Sequence, residues 1–118
     1  MSHYRYRKGL TTGPAMRLAW YDYTGTALYQ MATGWTFTAK IVKMGTSIVL
    51  VTKTAGITGS NTSPNVIVDF ETADFAALTG GRGTYYEVIV TATPSGGDPI
   101  VFEGDTQLPR FELLAALT

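Results

Sequence analysis

Few side chains in this sequence could do chemistry, and their spacing assembles no familiar catalytic set. The 118 residues include one histidine, His3, and no cysteine. The lack of cysteine excludes disulfides, zinc–thiolate sites and thiol nucleophiles. A single histidine at the N-terminus, where chains are usually mobile, makes a Ser-His-Asp triad or a multi-histidine metal site hard to build. We therefore expect no catalytic residues, no metal centre and no cofactor.

The closest group of acidic residues is Asp69, Glu71 and Asp74. A calcium loop needs several acidic side chains in one tight turn and a bidentate glutamate. Here the acids flank the end of a predicted strand and the start of a helical turn, where negative charge is favourable. We expect a structural role, with a weak cation site as the alternative. Paired carboxylates can hydrolyse sugars, but nothing in the sequence singles out one with a raised pKa.

The glycine cluster at residues 80–83 is not a phosphate loop. It follows the helical turn and precedes a strand. A phosphate loop needs the reverse order, because the N-terminus of the following helix must face the anion. We interpret the cluster as a corner between two elements.

The composition predicts one folded domain with little charge on its surface. Hydrophobic residues make up 45% of the chain and charged residues 15%, whereas globular domains average about 25% charged. Much of the surface must then be uncharged and polar, or be covered by another protein. The formal net charge is zero, which argues against a nucleic-acid partner. No apolar run reaches the roughly 18 residues of a membrane helix, so we expect no membrane contact.

The elements that would position these residues are mostly strands. Residues 34–44 and 84–93 alternate most clearly between apolar and polar side chains, and residues 54–64 have the composition of a loop. Seven or eight antiparallel strands with one short helical turn are typical of an all-β sandwich or barrel. The predicted strands are 15–23, 26–30, 34–44, 47–52, 65–70, 84–93, 100–103 and 107–114, and the helical turn is 71–78.

One of these strands is unusual because it is apolar on both faces. Residues 47–52 have the sequence Ser-Ile-Val-Leu-Val-Thr. Such a run indicates either burial on both sides or an exposed face that a partner covers.

The two ends of the chain differ in composition from its middle. We divide the chain into a basic-aromatic arm at 1–14, a sandwich at 15–114 and an apolar tail at 115–118. Tyrosine and arginine favour protein interfaces, so we expect the arm to bind a partner and its deletion to leave the fold stable. The predicted partner-binding residues at the two ends are Tyr4, Arg5, Tyr6, Arg7, Lys8, Leu113, Leu114 and Leu117.

The aromatic residues fall into two groups. Trp20, Trp35, Phe37 and Phe70 lie on the apolar faces of strands and are expected in the core. Tyr21, Tyr23, Tyr29 and Tyr85 occupy the opposite register or turns. Exposed tyrosines fit a protein interface, or alternatively a sugar-binding platform formed by Tyr21, Tyr23 and Tyr85.

The order of turns and strands resembles the N-terminal immunoglobulin-like domain family of phage baseplate upper proteins. The resemblance covers roughly residues 15–114. The matching segments are Asp22-Tyr23-Thr24-Gly25, Leu28 with Met31, the strand 34–41, Asn-Val-Ile-Val-Asp-Phe at 65–70, the helical turn and corner at 73–86, and the closing hairpin at 102–108.

This resemblance implies an immunoglobulin-like β-sandwich in a bacteriophage virion. The expected role is a non-enzymatic adaptor of the tail, baseplate or head–tail region, assembled in the host cytoplasm. Its expected partners are other virion proteins and further copies of itself, as a homo-oligomer or ring. The alternatives are a capsid decoration or head-fibre protein, and a carbohydrate-binding module.

Overall fold

The computed structural model describes residues 4–9, 14–22, 24–102 and 108–117. Within these ranges the chain forms nine strands and one short 3-10 helix at Thr72–Phe75. The strands are β1 (Tyr4–Arg7), β2 (Met16–Leu18), β3 (Trp35–Lys43), β4 (Val49–Lys53), β5 (Ile57–Gly59), β6 (Val66–Val68), β7 (Tyr85–Pro94), β8 (Ile100–Val101) and β9 (Arg110–Leu114).

The two longest strands form the centre of the larger sheet. β3 and β7 pair antiparallel along their whole length, from Trp35 opposite Pro94 to Lys43 opposite Tyr86. Alternate residues of β7 are buried, beginning at Tyr86 and ending at Ala92, and the intervening residues are half-buried. This is the period-2 pattern that the sequence predicts for residues 34–44 and 84–93. Both of these strand predictions are confirmed.

β7 has two partners on its other side. β8 pairs with its second half and β9 with its first half. Thr91 and Glu87 are four residues apart in β7, whereas their partners, Val101 in β8 and Arg110 in β9, are nine residues apart. β8 and β9 therefore form one interrupted edge of the ladder. Residues 103–107, which include part of the closing hairpin in the family resemblance, lie outside the described residues.

β1 completes the larger sheet, which contradicts the prediction of a separate arm at residues 1–14. Residues Tyr4–Arg7 pair in parallel with β9. The side chain of Tyr6 is buried, and its hydroxyl donates a hydrogen bond of 2.8 Å to the Pro14 carbonyl. A sheet strand with a core side chain contributes to the stability of the fold, so the structure favours a loss of stability when this segment is deleted. The rest of the predicted arm, residues 1–3 and 10–13, lies outside the described residues.

The second sheet is small. Its three strands run in the order β2-β6-β5 and pair antiparallel, with three residues in each strand. The core lies between the sheets and includes Met16, Val68, Val88 and Phe111. An aromatic cluster fills one end of it, with ring centroids 5.3–5.7 Å apart; its members are Tyr6, Phe70, Phe75, Tyr86 and Phe111.

The predicted all-β sandwich with one helical turn is confirmed, with four differences in detail. There are nine strands in the described chain rather than seven or eight, and the β1–β9 pair is parallel rather than antiparallel. The predicted helical turn at 71–78 is a 3-10 helix. The predicted strand at 15–23 is only three residues long, and Tyr21 joins Leu28 through an isolated bridge.

The loop predicted at residues 54–64 contains one of the extra strands. Ile57–Gly59 forms β5 and pairs with β6. A Cβ atom at Gly59 would overlap the carbonyl oxygen of Met31 and the ring of Phe37. Glycine at position 59 therefore permits close packing within a strand, although the composition of residues 54–64 favours a loop.

A buried asparagine joins the second sheet to the segment between β2 and β3. Asn65 is fully buried, and its side-chain amide donates to the carbonyls of Trp20 (2.9 Å) and Tyr29 (3.0 Å). Its carbonyl oxygen accepts from the backbone N–H of Trp20 at 2.7 Å. One side chain thus bonds to three backbone groups. The Trp20 carbonyl also accepts from the Tyr29 N–H at 3.0 Å, whereas the Trp20 N–H and the Tyr29 carbonyl rely on Asn65 within the described chain.

We expect Asn65→Ala to lower the free energy of unfolding by about 3 kcal/mol, because the Trp20 N–H and the Tyr29 carbonyl lose their partner and the Trp20 carbonyl loses one of its two donors. Urea denaturation followed by tryptophan fluorescence measures this change. Asn61→Ala is the matched control: its side chain is exposed and accepts one bond, from the Ala32 N–H, so the loss should stay below about 1 kcal/mol. Equal losses in the two variants would contradict this role for Asn65.

Candidate interaction surface

Exposed apolar side chains concentrate in one hairpin. Of the seven large hydrophobic residues that are exposed in the described chain, four lie between β3 and the middle of β4. Their exposed fractions are 39% for Met44, 59% for Ile48, 45% for Val49 and 42% for Leu50. We call these four residues the hairpin patch. Apolar groups that gather on one surface, rather than scattering singly, mark a site of interaction.

Polar contacts hold the hairpin in a defined shape. Gly45 has a φ angle of +82°, which the tight turn requires and most other residues rarely adopt. The Thr46 hydroxyl donates to the Lys43 carbonyl at 2.8 Å and accepts from the Ile48 N–H at 3.2 Å. The hairpin patch is therefore displayed on an ordered turn.

A bulge turns the start of β4. Ile41 pairs with Val51 and Val42 pairs with Val49, so Leu50 is an extra residue in the ladder. Bulges twist a strand and redirect its side chains. Val49 and Leu50 are consecutive residues, and both are exposed.

A cleft of about 700 Å³ opens beside the hairpin patch. Met44, Leu50 and Lys43 line one side, and Ala77, Leu78 and Thr79 line another. The cleft is large enough for a small ligand, but its lining contains no carboxylate and no histidine, and Lys43 is its one charged residue. Met44, Leu50, Ala77 and Leu78 give the cleft apolar walls against which apolar side chains can pack, and Tyr85 and Tyr86 complete its lining.

The basic residues predicted to bind a partner make contacts within the chain, although the Arg5 side chain is still 69% exposed. The Arg5 guanidinium forms an ion pair of 2.9 Å with Glu112. Arg7 donates to the Ala115 carbonyl at 2.9 Å, and Lys8 donates to the Leu78 carbonyl at 2.6 Å. These bonds fasten β1 to the C-terminal segment and to the loop after the 3-10 helix.

The structure separates the other predicted partner-binding residues. Tyr6 and Leu113 are buried in the core, so the prediction that they contact a partner is wrong. Both residues lie on the face of the larger sheet that packs against the core. Leu114 is half-buried, and Tyr4 uses its hydroxyl to contact the backbone of Arg17. Leu117 is 71% exposed and remains available at the surface.

Glu112 is the electrostatic centre of the β1–β9 pair. Glu112 is buried. One of its carboxylate oxygens accepts from the Gly83 N–H at 2.7 Å, and the other accepts from the Arg5 guanidinium at 2.9 Å. The Gly83 N–H, followed by Arg5, lowers the pKa of the Glu112 carboxyl below its ordinary value despite burial.

The acidic cluster at residues 69–74 has a structural contact. Asp74 accepts from Lys53 at 2.8 Å and from the Glu71 N–H at 2.7 Å. The Lys53 side chain is buried and lies over the Phe70 ring. No group of three or more histidine, cysteine, aspartate or glutamate residues in the described part of the chain is arranged to hold a metal ion.

The tyrosines proposed for sugar binding do not form one platform. Tyr21 lies near the end of the β3–β7 ladder that contains Trp35. It directly follows Trp20, and the rings of Trp20, Tyr29 and Trp35 pack in sequence there. Tyr85 begins β7 at the opposite end, about 30 Å away for a nine-step strand. Tyr23 lies outside the described residues.

The sequence pointed to the hairpin patch only in part. The run at 47–52 was apolar on both faces, which suggested a face covered by a partner, and Ile48, Val49 and Leu50 belong to it. Met44 had no such signal. The chosen partner-binding residues were instead those at the chain ends, because basic and aromatic composition suggested an arm there.

We expect Glu112 to make stability depend on pH. A carboxyl with a lowered pKa stabilises the fold above its ordinary value of 4.5, and that contribution disappears as pH falls through the folded-state pKa. Glu112→Gln should therefore lower the urea midpoint at pH 7, and the difference from the parent should shrink at acid pH.

The control is Arg5→Met. It retains the Glu112 carboxyl and the Gly83 N–H, which lowers the pKa of that carboxyl more than Arg5 does. It should retain most of the pH dependence. A difference between the parent and Glu112→Gln that stays constant from pH 7 to pH 3 would contradict the assignment.

Comparisons with known proteins supply no relative for this chain. The sequence matches no protein-family model, and neither a search of curated proteins nor a search of solved structures finds a similar chain. No helix in the ranges that the structure describes is long and apolar enough to cross a membrane.

Proposed function

We propose that the protein is a non-enzymatic structural component of a bacteriophage virion, in the tail, baseplate or head–tail region. It assembles there through contacts with other virion proteins. The observation that supports this function most directly is the hairpin patch: four exposed apolar residues on an ordered turn at one end of a β-sandwich.

The surface suits a protein partner. The centre of a protein interface is depleted of charged residues and enriched in apolar ones. Met44 to Thr52 contains no charged residue, and the neighbouring cleft adds Ala77 and Leu78. Burial of this patch removes apolar surface from water, which is the main driving force of association.

Two of the carboxylates are engaged in ion pairs. Asp74 is paired with Lys53 and Glu112 with Arg5. The cleft contains neither an acid nor a histidine. This distribution favours a role in assembly over a role in reaction chemistry.

The virion assignment depends on the family resemblance. Two of the resembling segments lie in the central part of the fold: the strand at 34–41 is most of β3, and Asn65–Phe70 contains β6. A two-sheet sandwich is the architecture that the resemblance implies. Labelling of purified particles tests the assignment and the position in the virion.

We expect the protein to be part of the purified particles of the phage whose genome encodes it. Immunogold labelling with antibodies against the recombinant protein, viewed by electron microscopy, should mark the tail, baseplate or neck. Labelling over the whole head would support a capsid decoration protein instead. Infectious particles in which neither labelling nor mass spectrometry detects the protein would overturn the proposed function.

A glycan array tests the remaining alternative with the same recombinant protein. We expect no binding, because Tyr21 and Tyr85 lie at opposite ends of the ladder. Specific glycan binding that Tyr21→Ala abolishes would favour a carbohydrate-binding module.

A further inference from the structure

We propose that the outer edge of β4 pairs with β4 of a second copy of this chain. The two strands would run antiparallel about a two-fold axis and join two six-stranded sheets, with the hairpin patches at the centre of the contact. This proposal deepens the proposed function, on which it rests, by naming a second copy as the partner of the hairpin patch.

β4 is an edge strand of the larger sheet. Its inner side pairs with β3, and no strand in the described ranges pairs with its outer side. A strand edge of this kind presents unpaired N–H and C=O groups that can template another strand. Proteins that remain single normally protect such an edge with charge, proline, a very short strand or a covering segment.

Other edges are protected and β4 is not. At the opposite edge of the same sheet, β1 has Arg5 and Arg7 among its four residues. In the smaller sheet, the Tyr4 hydroxyl contacts both the N–H and the carbonyl of Arg17 in β2. β5 is covered on one side by the segment around Met31, whose N–H donates to the Ser60 carbonyl.

β8 also has a free outer side, but it is only two residues long. β4 has five residues. Its one charged residue, Lys53, is buried in an ion pair with Asp74, so it provides no charge at the edge. β4 is therefore the one long and uncharged edge in the part of the chain that the structure describes.

The lack of charge along the β4 edge and its hairpin makes this surface electrostatically compatible with a second copy of itself. In a two-fold contact each surface meets itself, so any charge near the axis would face a like charge. Residues 44–52 contain no charged side chain. This surface is self-compatible, whereas the β1 edge would place arginines opposite arginines.

The pairing would also cover apolar side chains. Val49 and Leu50 are apolar residues exposed on the edge strand. Ile48, which precedes them, has 59% of its surface exposed. Cross-strand apolar pairs stabilise antiparallel strands. The cleft lined by Met44 and Leu50 gives the side chains of the second copy a place to pack.

Sedimentation equilibrium of the full chain tests the proposal, with Val49→Lys as the disrupting variant. We expect the parent to dimerise reversibly. Val49→Lys places two like charges in the contact and should raise the dissociation constant about a hundredfold or more. Val101→Lys is the matched control: Val101 is a valine of similar exposure, 49%, on β8, and its substitution should leave the dimer intact.

Ile48→Lys provides a second disrupting variant outside the strand, in case Val49→Lys disturbs folding. Circular dichroism and the melting temperature identify a variant that has lost its fold. We expect Ile48→Lys to retain the parent melting behaviour at low protein concentration and to weaken the dimer.

Single cysteines test the strand pairing itself, because the native chain contains none. Directly opposite residues of antiparallel strands have Cα atoms about 4.5–5.5 Å apart, within the range that a disulfide spans. Leu50→Cys and Thr52→Cys should give disulfide-linked dimers under mild oxidation, at least one of them much faster than the control Val101→Cys.

A parent protein that stays monomeric up to about millimolar concentration would overturn the proposal. A dimer that neither Val49→Lys nor Ile48→Lys weakens would do the same. These outcomes are separate from those of the particle experiment. A monomer found in labelled virions defeats the pairing of β4 and leaves the structural function, whereas a β4 dimer absent from virions defeats the function and leaves the pairing.

Discussion

The long antiparallel ladder between β3 and β7 is the constraint on which the rest of the structure depends. Nine consecutive residue pairs fix its register. Because side chains alternate across a strand, this register sends Ile41, Val88 and Val90 into the core together. A shift of one residue would turn the side chains of the slipped strand, either Ile41 or the pair Val88 and Val90, toward solvent. Every other strand of the larger sheet is placed by this pair: β4 on the side of β3, and β8, β9 and β1 on the side of β7.

The difference in size between the two sheets explains the exposed hairpin. A three-residue strand spans about 10 Å, whereas the nine residues of β3 span about 30 Å. The smaller sheet can cover only part of the larger one. The aromatic cluster around Phe111 and the loop after the 3-10 helix cover more of it, but the hairpin of residues 44–50 extends beyond this cover with its apolar side chains in solvent.

The fold was predictable wherever alternation was strong and the partner strand was near in sequence. β3 and β7 met both conditions. β1 did not, because its partner β9 is at the other end of the chain, and its Tyr-Arg alternation looked like a solvated arm. β5 was hidden by the residues that let it pack closely, above all Gly59. The apolar run of β4 was visible, but its exposure depends on how far the second sheet reaches, which no local pattern encodes.

The β4 edge and the hairpin patch together are the contact surface that we propose for this protein. Hydrogen exchange of the backbone amides, measured at increasing protein concentration, tests it most directly. We expect amides of Val49–Lys53 that do not bond to β3 to become protected as concentration rises, while exchange in β1 stays unchanged. Exchange in β4 that is independent of concentration, or protection that rises at β1 instead, would contradict the claim.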